Sequence, residues 1–131
     1  MIVIPEAYRD LLDRPILASL ATVQANGQPQ VTPVWADLHN GRVRFSTVVE
    51  RQKHKNLRER PQSTVLVVDP DNPLRYVEVR GTVARMSEDE GDPVIDKLAH
   101  DYLGAETYPY RAPGEARVAI EIEPTHVTAS G

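Results

Sequence analysis

Along this chain, apolar and polar residues alternate with a period of two in short runs separated by turn residues, which predicts strands linked by hairpins. Residues 16–23 form a run of small and β-branched side chains, Asn26-Gly27 is a hairpin turn, and residues 30–38 read as the second strand. His39-Asn40-Gly41 turns the chain into residues 42–48, where Val43, Phe45 and Thr47 alternate with polar neighbours. Residues 63–68 form a short apolar strand, and the Asp- and Pro-rich run 69–73 is a turn by composition. The longest strand candidate is 75–86, with Val77, Val79 and Val83 on one face and Tyr76, Glu78, Arg80 and Thr82 on the other. Gly81 inside it predicts a bulge or bend. The last strand is expected at 116–123, where Val118, Ile120 and Ile122 alternate with charged residues.

Three segments have helical character instead. Residues 4–12 place Ala7, Leu11 and Leu12 at helical spacing and end at Arg14-Pro15. Residues 51–60 form a basic helix that stops before Pro61. Residues 92–103 form the third, with Asp92 as N-cap, Pro93 at the first helical position and Gly104 at the end. Ser87-Glu-Asp-Glu90 has capping-box spacing, and its acidity suits a helix start. Residues 108–114 are loop. Six strands with interrupting helices predict a mainly β (α+β) fold, a six-stranded antiparallel barrel whose closure removes exposed edges.

Composition narrows the function classes. At 131 residues the chain is expected to be one domain spanning 1–131. No apolar run approaches the roughly 20 residues of a membrane span, and no signal peptide is visible. Zero cysteines exclude disulfides, thiolate metal sites and a cysteine nucleophile, so a cytoplasmic home is expected. A net charge of −4 argues against general nucleic-acid binding.

Against that acidic background, Arg51, Lys53, Lys55, Arg58 and Arg60 stand within ten positions, just after the hydroxyls of Ser46 and Thr47. A helix start presents unpaired N–H groups and the positive end of its dipole. Cations, hydroxyls and a helix start together point to a pocket for a phosphate-bearing ligand; the alternative is a solvated basic face. Pro33 in a strand marks an edge or a bulge. Trp35, the only tryptophan, is either packing or ligand lining, and Tyr76 faces solvent or a subunit interface. His39, His54, His100 and His126 have no metal-ligand spacing, and His54 alone lies where it could touch a phosphate. No nucleophile motif, glycine-rich phosphate loop or paired carboxylates appear. If the protein is an enzyme, a bound cofactor supplies the reactive centre.

The order Leu20-Ala-Thr-Val23, Asn26-Gly-Gln-Pro-Gln-Val31, Pro33-Val34-Trp35, Phe45-Ser-Thr47 and Arg51-x-Lys53-x-x-Asn56-Leu57 resembles the split β-barrel flavin and deazaflavin oxidoreductases. That class includes the pyridoxamine 5′-phosphate oxidases and the actinobacterial enzymes that use coenzyme F420. The resemblance spans residues 5–127. It implies an FMN-binding type of split barrel, a homodimer with cofactors in clefts between the subunits, and a small-molecule substrate. It also implies that Arg51 and Lys53 grip the cofactor phosphate with Ser46, Thr47 and Asn56 nearby. Gln30, Thr32, Pro33 and Val34 would line the tricyclic ring, and Tyr76, with Leu74, would come from the partner subunit.

The pyridoxamine 5′-phosphate oxidases carry a further C-terminal segment with arginine and tryptophan; here the last strand ends at Ser130-Gly131, which argues against vitamin B6 oxidation. The short form and the Arg51/Lys53 pair resemble the F420-dependent branch, with Lys55, Arg58 or Arg60 as partners for the acidic oligoglutamate tail. The leading expectation is an F420-dependent reductase passing hydride to an unsaturated organic substrate. FMN in the same fold, and a non-catalytic cofactor carrier, are the alternatives.

Overall fold

The computed structural model describes residues 2–131. A 3₁₀ turn at Glu6–Tyr8 and the short helix α1 (Asp10–Asp13) replace the single N-terminal helix expected over 4–12. Leu11 and Leu12 of α1 are buried. The remaining elements run β1 (Ala18–Val23), β2 (Pro29–Val34), β3 (Asp37–His39), β4 (Arg42–Val48), α2 (Gln52–Glu59), β5 (Gln62–Val68), β6 (Tyr76–Ser87), α3 (Gly91–Leu103) and β7 (Arg117–Ser130).

All strands join one antiparallel sheet in the order β2-β1-β5-β6-β7-β4-β3. The expected six-stranded closed barrel is corrected on two counts. There are seven strands among the described residues, because the run 30–38 breaks at Trp35-Ala36 into β2 and β3. The sheet is also not closed, because no ladder joins those two strands. Yet β2 and β3 are the two outermost strands, and only Trp35 and Ala36 lie between them. Three Cα–Cα steps reach at most about 11 Å. The sheet therefore curls until its edges nearly meet, and Trp35-Ala36 bridges the slit. Tyr102 of α3 holds the bridge: its hydroxyl oxygen accepts the Ala36 N–H at 3.1 Å and lies 2.8 Å from the Ile16 carbonyl.

Inside the curl Leu20, Phe45, Leu57, Val65, Val77 and Ile120 are among the fully buried side chains. Each such side chain stabilises the fold by about 1.5–3 kcal/mol. Pro33 stands on the edge strand β2, where its missing N–H breaks no outer ladder.

The Gly81 bulge is present. The β6–β7 register shifts between Arg80 and Gly81, leaving Thr125 as the extra residue, and shifts again between Val83 and Arg85. A Cβ on Gly81 would stand 2.3 Å from the Glu123 carbonyl oxygen. This bulge accommodates Pro124 and lets β7 continue to Ser130, past the end at 123 that the alternation predicted.

Helix α3 packs Val94 and Leu98 with Ala119 of β7, with Trp35 and Tyr102 alongside. It begins at Gly91, one residue before the expected Asp92 cap, and its N-cap is Glu90. The Glu90 N–H donates to the Ser87 hydroxyl at 3.3 Å, which ties the turn ahead of the helix; with Glu90 itself the N-cap, the expected capping box is not formed. Gly91 lets the helix start touch β7, since a Cβ there would lie 2.3 Å from the Arg117 carbonyl oxygen.

Candidate functional site

Strand β4 delivers Ser46 and Thr47 to the start of α2, whose N-cap is Arg51. The turn between them is tight, with Glu50 at φ 74°. His54, one turn into α2, secures it by accepting the Glu50 N–H on Nδ1 at 3.0 Å. Burial, then the Arg58 charge, holds the His54 pKa below its usual value. This residue therefore fixes the turn as a neutral imidazole and does not line the cleft.

The cleft, of about 300 Å³, opens where β4, the start of α2, the bridge residue Trp35 and the α3–β7 loop converge. Pro33, Val34, Ser46, Thr47, Arg51 and Lys53 line it, six of the ten residues expected at a cofactor. Arg51 and Lys53 make no ion pair among the described residues. Burial, with the charges of Arg51 and Arg117, pushes the Lys53 pKa below the ordinary lysine value. The Thr47 hydroxyl is buried without a hydrogen-bond partner among the described residues. Ser46, by contrast, donates to the Gly91 carbonyl at 2.9 Å and accepts from Arg117 Nε at 3.2 Å, tying β4, α3 and β7 together beside the cleft.

The other four expected residues lie elsewhere. Asn56 is fully buried and belongs to a polar chain: Gln52 donates to Asn56, Asn56 to the Thr22 hydroxyl, and Thr22 reaches Gln30 at 3.5 Å. Gln30 and Asn56 thus brace α2 against β1 and β2. Thr32 sits on the edge strand with its hydroxyl unpartnered among the described residues. Tyr76 opens β6 opposite Val68 and Ser130 and does not border this chain's own cleft. Of the cations expected for an acidic tail, Arg58 pairs with Glu50 at 2.6 Å and Arg60 donates to the Val23 carbonyl at 2.7 Å, while Lys55 is exposed.

Sequence reasoning did not find Arg117, Tyr108 and Tyr110. Arg117 enters the cleft from β7, where the register with β4 sets it opposite Val48. It pairs with Glu115 at 2.7 Å, and the Tyr108 ring lies 5.0 Å from its guanidinium carbon. Glu115 also accepts the Ala112 N–H at 2.7 Å; that hydrogen bond first, then Arg117 and Arg51, holds its carboxyl below the usual range. No local pattern marks Arg117, because its neighbours come from distant parts of the chain. The two tyrosines lie in the run 108–114, where two of the chain's five tyrosines fall within three positions. Three cations converging against a single carboxylate leave the cleft short of negative charge. The arrangement can hold an anionic group beside an apolar and aromatic wall.

The profile of the pyridoxamine 5′-phosphate oxidase family matches residues 4–131. The chain belongs to the pyridoxamine 5′-phosphate oxidase family. Among solved structures, an F420 reductase is 39% identical with a TM-score of 0.86, over 95% of this chain and 98% of its own. A conserved hypothetical protein from Mycobacterium tuberculosis is 24% identical with a TM-score of 0.77, over 98% and 86% of the two chains. A putative pyridoxamine 5′-phosphate oxidase from Listeria innocua is 22% identical with a TM-score of 0.63, over 86% of each chain. These last two share the fold. No curated protein matches. Membership of the pyridoxamine 5′-phosphate oxidase family makes this an oxidoreductase-type fold of the flavin or deazaflavin class. No helix among the described residues is long and apolar enough to cross a membrane.

Proposed function

We propose that the protein is an F420-dependent oxidoreductase. The bound reduced deazaflavin would supply a hydride to an electron-poor, unsaturated carbon of a small organic substrate. The observation that carries this reading is the cation cluster Arg51, Lys53 and Arg117 next to the unpartnered, buried hydroxyl of Thr47. A buried hydroxyl without a partner costs about 1–3 kcal/mol, and an anionic oxygen accepting from Thr47 recovers it. The residues present therefore fit the phosphoryl end of such a cofactor. An FMN phosphate would satisfy the same groups; the F420 reductase at 39% identity favours the deazaflavin.

The chain's own residues divide the work. Arg51, Lys53 and Thr47 hold the anion, while Pro33 and Val34 offer an edge-strand surface to the ring system. Trp35 and the tyrosines close the opposite side and exclude water. No carboxylate or histidine lines the cleft among the described residues, so the chain's part in the reaction is to bind and orient.

At about 300 Å³ the cleft lies at the small end of the roughly 300–1,000 Å³ typical of ligand pockets. Leu74 is 77% exposed, and neither it nor Tyr76 lines the cleft. In our reading a second copy brings that surface over the cofactor, giving a homodimer with two sites.

Purified protein mixed with reduced F420 and a panel of enones and quinones tests the function. Acceptor-dependent reoxidation of F420 is expected. Tight F420 binding with no turnover across the panel would make the protein a carrier instead.

A further inference from the structure

The two faces of the β4–α2 turn open on different clefts. Arg51, Lys53 and Arg117 line the anion cleft. Glu50, His54 and Val118, each next to one of them in sequence, line a separate cleft of about 560 Å³. The His54 ring is thus one residue away from the cation cluster in the chain but lies on the other side of the turn.

That turn holds a conformation that needs support. Glu50 has φ 74°, a left-handed backbone that a residue with a side chain rarely adopts. Two contacts maintain it. His54 Nδ1 accepts the Glu50 N–H at 3.0 Å, and Arg58 pairs with the Glu50 carboxylate at 2.6 Å. Arg51 follows directly: its N–H donates to the Val48 carbonyl at 3.1 Å, and its carbonyl accepts the Lys55 N–H at 3.0 Å. The backbone that aims Arg51 into the anion cleft is therefore set by the residue before it, and His54 pins that residue.

Protonation removes the pin. An imidazolium carries hydrogen on both nitrogens, so Nδ1 then meets the Glu50 N–H donor to donor. The ring is only 6% exposed, yet it borders a cleft open to solvent, so a proton can reach it. The charges around it are Arg58 on α2, Glu50 on the turn, and Glu88 and Asp89 at the β6–α3 corner; from β7 comes only the uncharged Val118. Burial and then Arg58 oppose the imidazolium more than Glu50 and Glu88 favour it.

We propose that His54 is a positioning residue for the anion cleft and makes coenzyme affinity fall in acid by releasing the β4–α2 turn. The proposal rests on the reading of that cleft as a coenzyme-phosphate site. The bound state needs the neutral ring, so affinity is full above the His54 pKa and is lost as pH falls through it. The sign is diagnostic. A bare positive charge added across the roughly 10 Å width of a helix would attract the anion and tighten binding about twofold. Release of the turn weakens binding instead.

Calorimetric titrations with F420 and with FMN at about pH 7.5 and about pH 5 test this, with circular dichroism at each pH to verify the fold. The native protein is expected to bind about fivefold more weakly at the lower pH, the worth of one hydrogen bond. The FMN phosphate itself takes up a proton at about pH 6, so the comparison that decides is with variants facing the same ligand. His54→Asn keeps an acceptor that does not titrate; it should rescue binding at the higher pH and lose most of the fall in acid. His54→Leu has no acceptor and should bind about fivefold more weakly at both pH values. Tighter binding in acid, a full acid-side fall in His54→Asn, or native affinity in His54→Leu overturns the proposal and leaves the coenzyme reading standing. A native chain that binds neither coenzyme at the higher pH overturns both.

Discussion

Among single residues, the proposed anion site turns on Thr47. Its side chain is buried and its hydroxyl finds no partner among the described residues. Replacing it by the near-isosteric valine removes an unsatisfied polar group, so Thr47→Val should leave thermal stability unchanged or slightly raised. The same change should weaken cofactor binding by about fivefold, the equivalent of one hydrogen bond of roughly 1 kcal/mol. Parallel melting and titration curves check both halves. Lys53 adds a pH signature. In the free protein burial and two neighbouring cations disfavour its charge, and a bound anion restores it. Binding therefore takes up a proton at alkaline pH, and affinity should fall as pH rises through the lowered Lys53 pKa. Titrations at neutral and alkaline pH should show that fall in the native protein and little of it in Lys53→Arg. Both residues were visible in the sequence, because hydroxyls and cations crowd a single strand–helix junction. Arg117 was not, since alternation along β7 reveals only that it is polar. What makes it part of the cleft is the register against β4.

At the scale of elements, the β4–α2 turn is the part on which the cation cluster depends. His54 holds it through Nδ1, an acceptor only while the ring is neutral. The folded-state pKa is depressed, so below about pH 6.5 the unfolded chain binds a proton that the folded chain resists. Stability should consequently decline as pH drops from about 6.5 through the lowered value. Urea midpoints at pH 7.5 and pH 5.5 measure the decline (pH chosen to lie about one unit either side). His54→Asn keeps a non-titrating acceptor and should shrink the difference; an equal difference in the variant would remove His54 from the account. Period-two alternation revealed most strands, and the cation-rich run ending before Pro61 revealed the basic helix. Alternation missed the break at Trp35-Ala36, because nothing local distinguishes that pair from strand residues. The cause is Tyr102, sixty-six positions away, gripping Ala36. Alternation also stopped β7 at residue 123, because it lapses where the bulge opposite Gly81 accommodates Pro124.

For the whole molecule, the decisive fact is that β2 and β3, joined by two residues, sit at opposite edges of the sheet. That connection curls the sheet and sets Pro33, Val34 and Trp35 beside the start of α2, making a cleft from parts that lie far apart in sequence. The family was legible from the order of motifs, while strand count and openness were not, because both depend on tertiary hydrogen bonds. Parallel calorimetric titration of the native protein and its Lys53→Ala variant with F420 and with FMN is the most direct test of the cleft as a coenzyme site. The account predicts F420 binding at about 10 µM or tighter, FMN weaker by about tenfold, and a loss of about tenfold or more with Lys53→Ala. Affinity for both cofactors weaker than about 1 mM, or a Lys53→Ala variant that binds as well as the native chain, would contradict it.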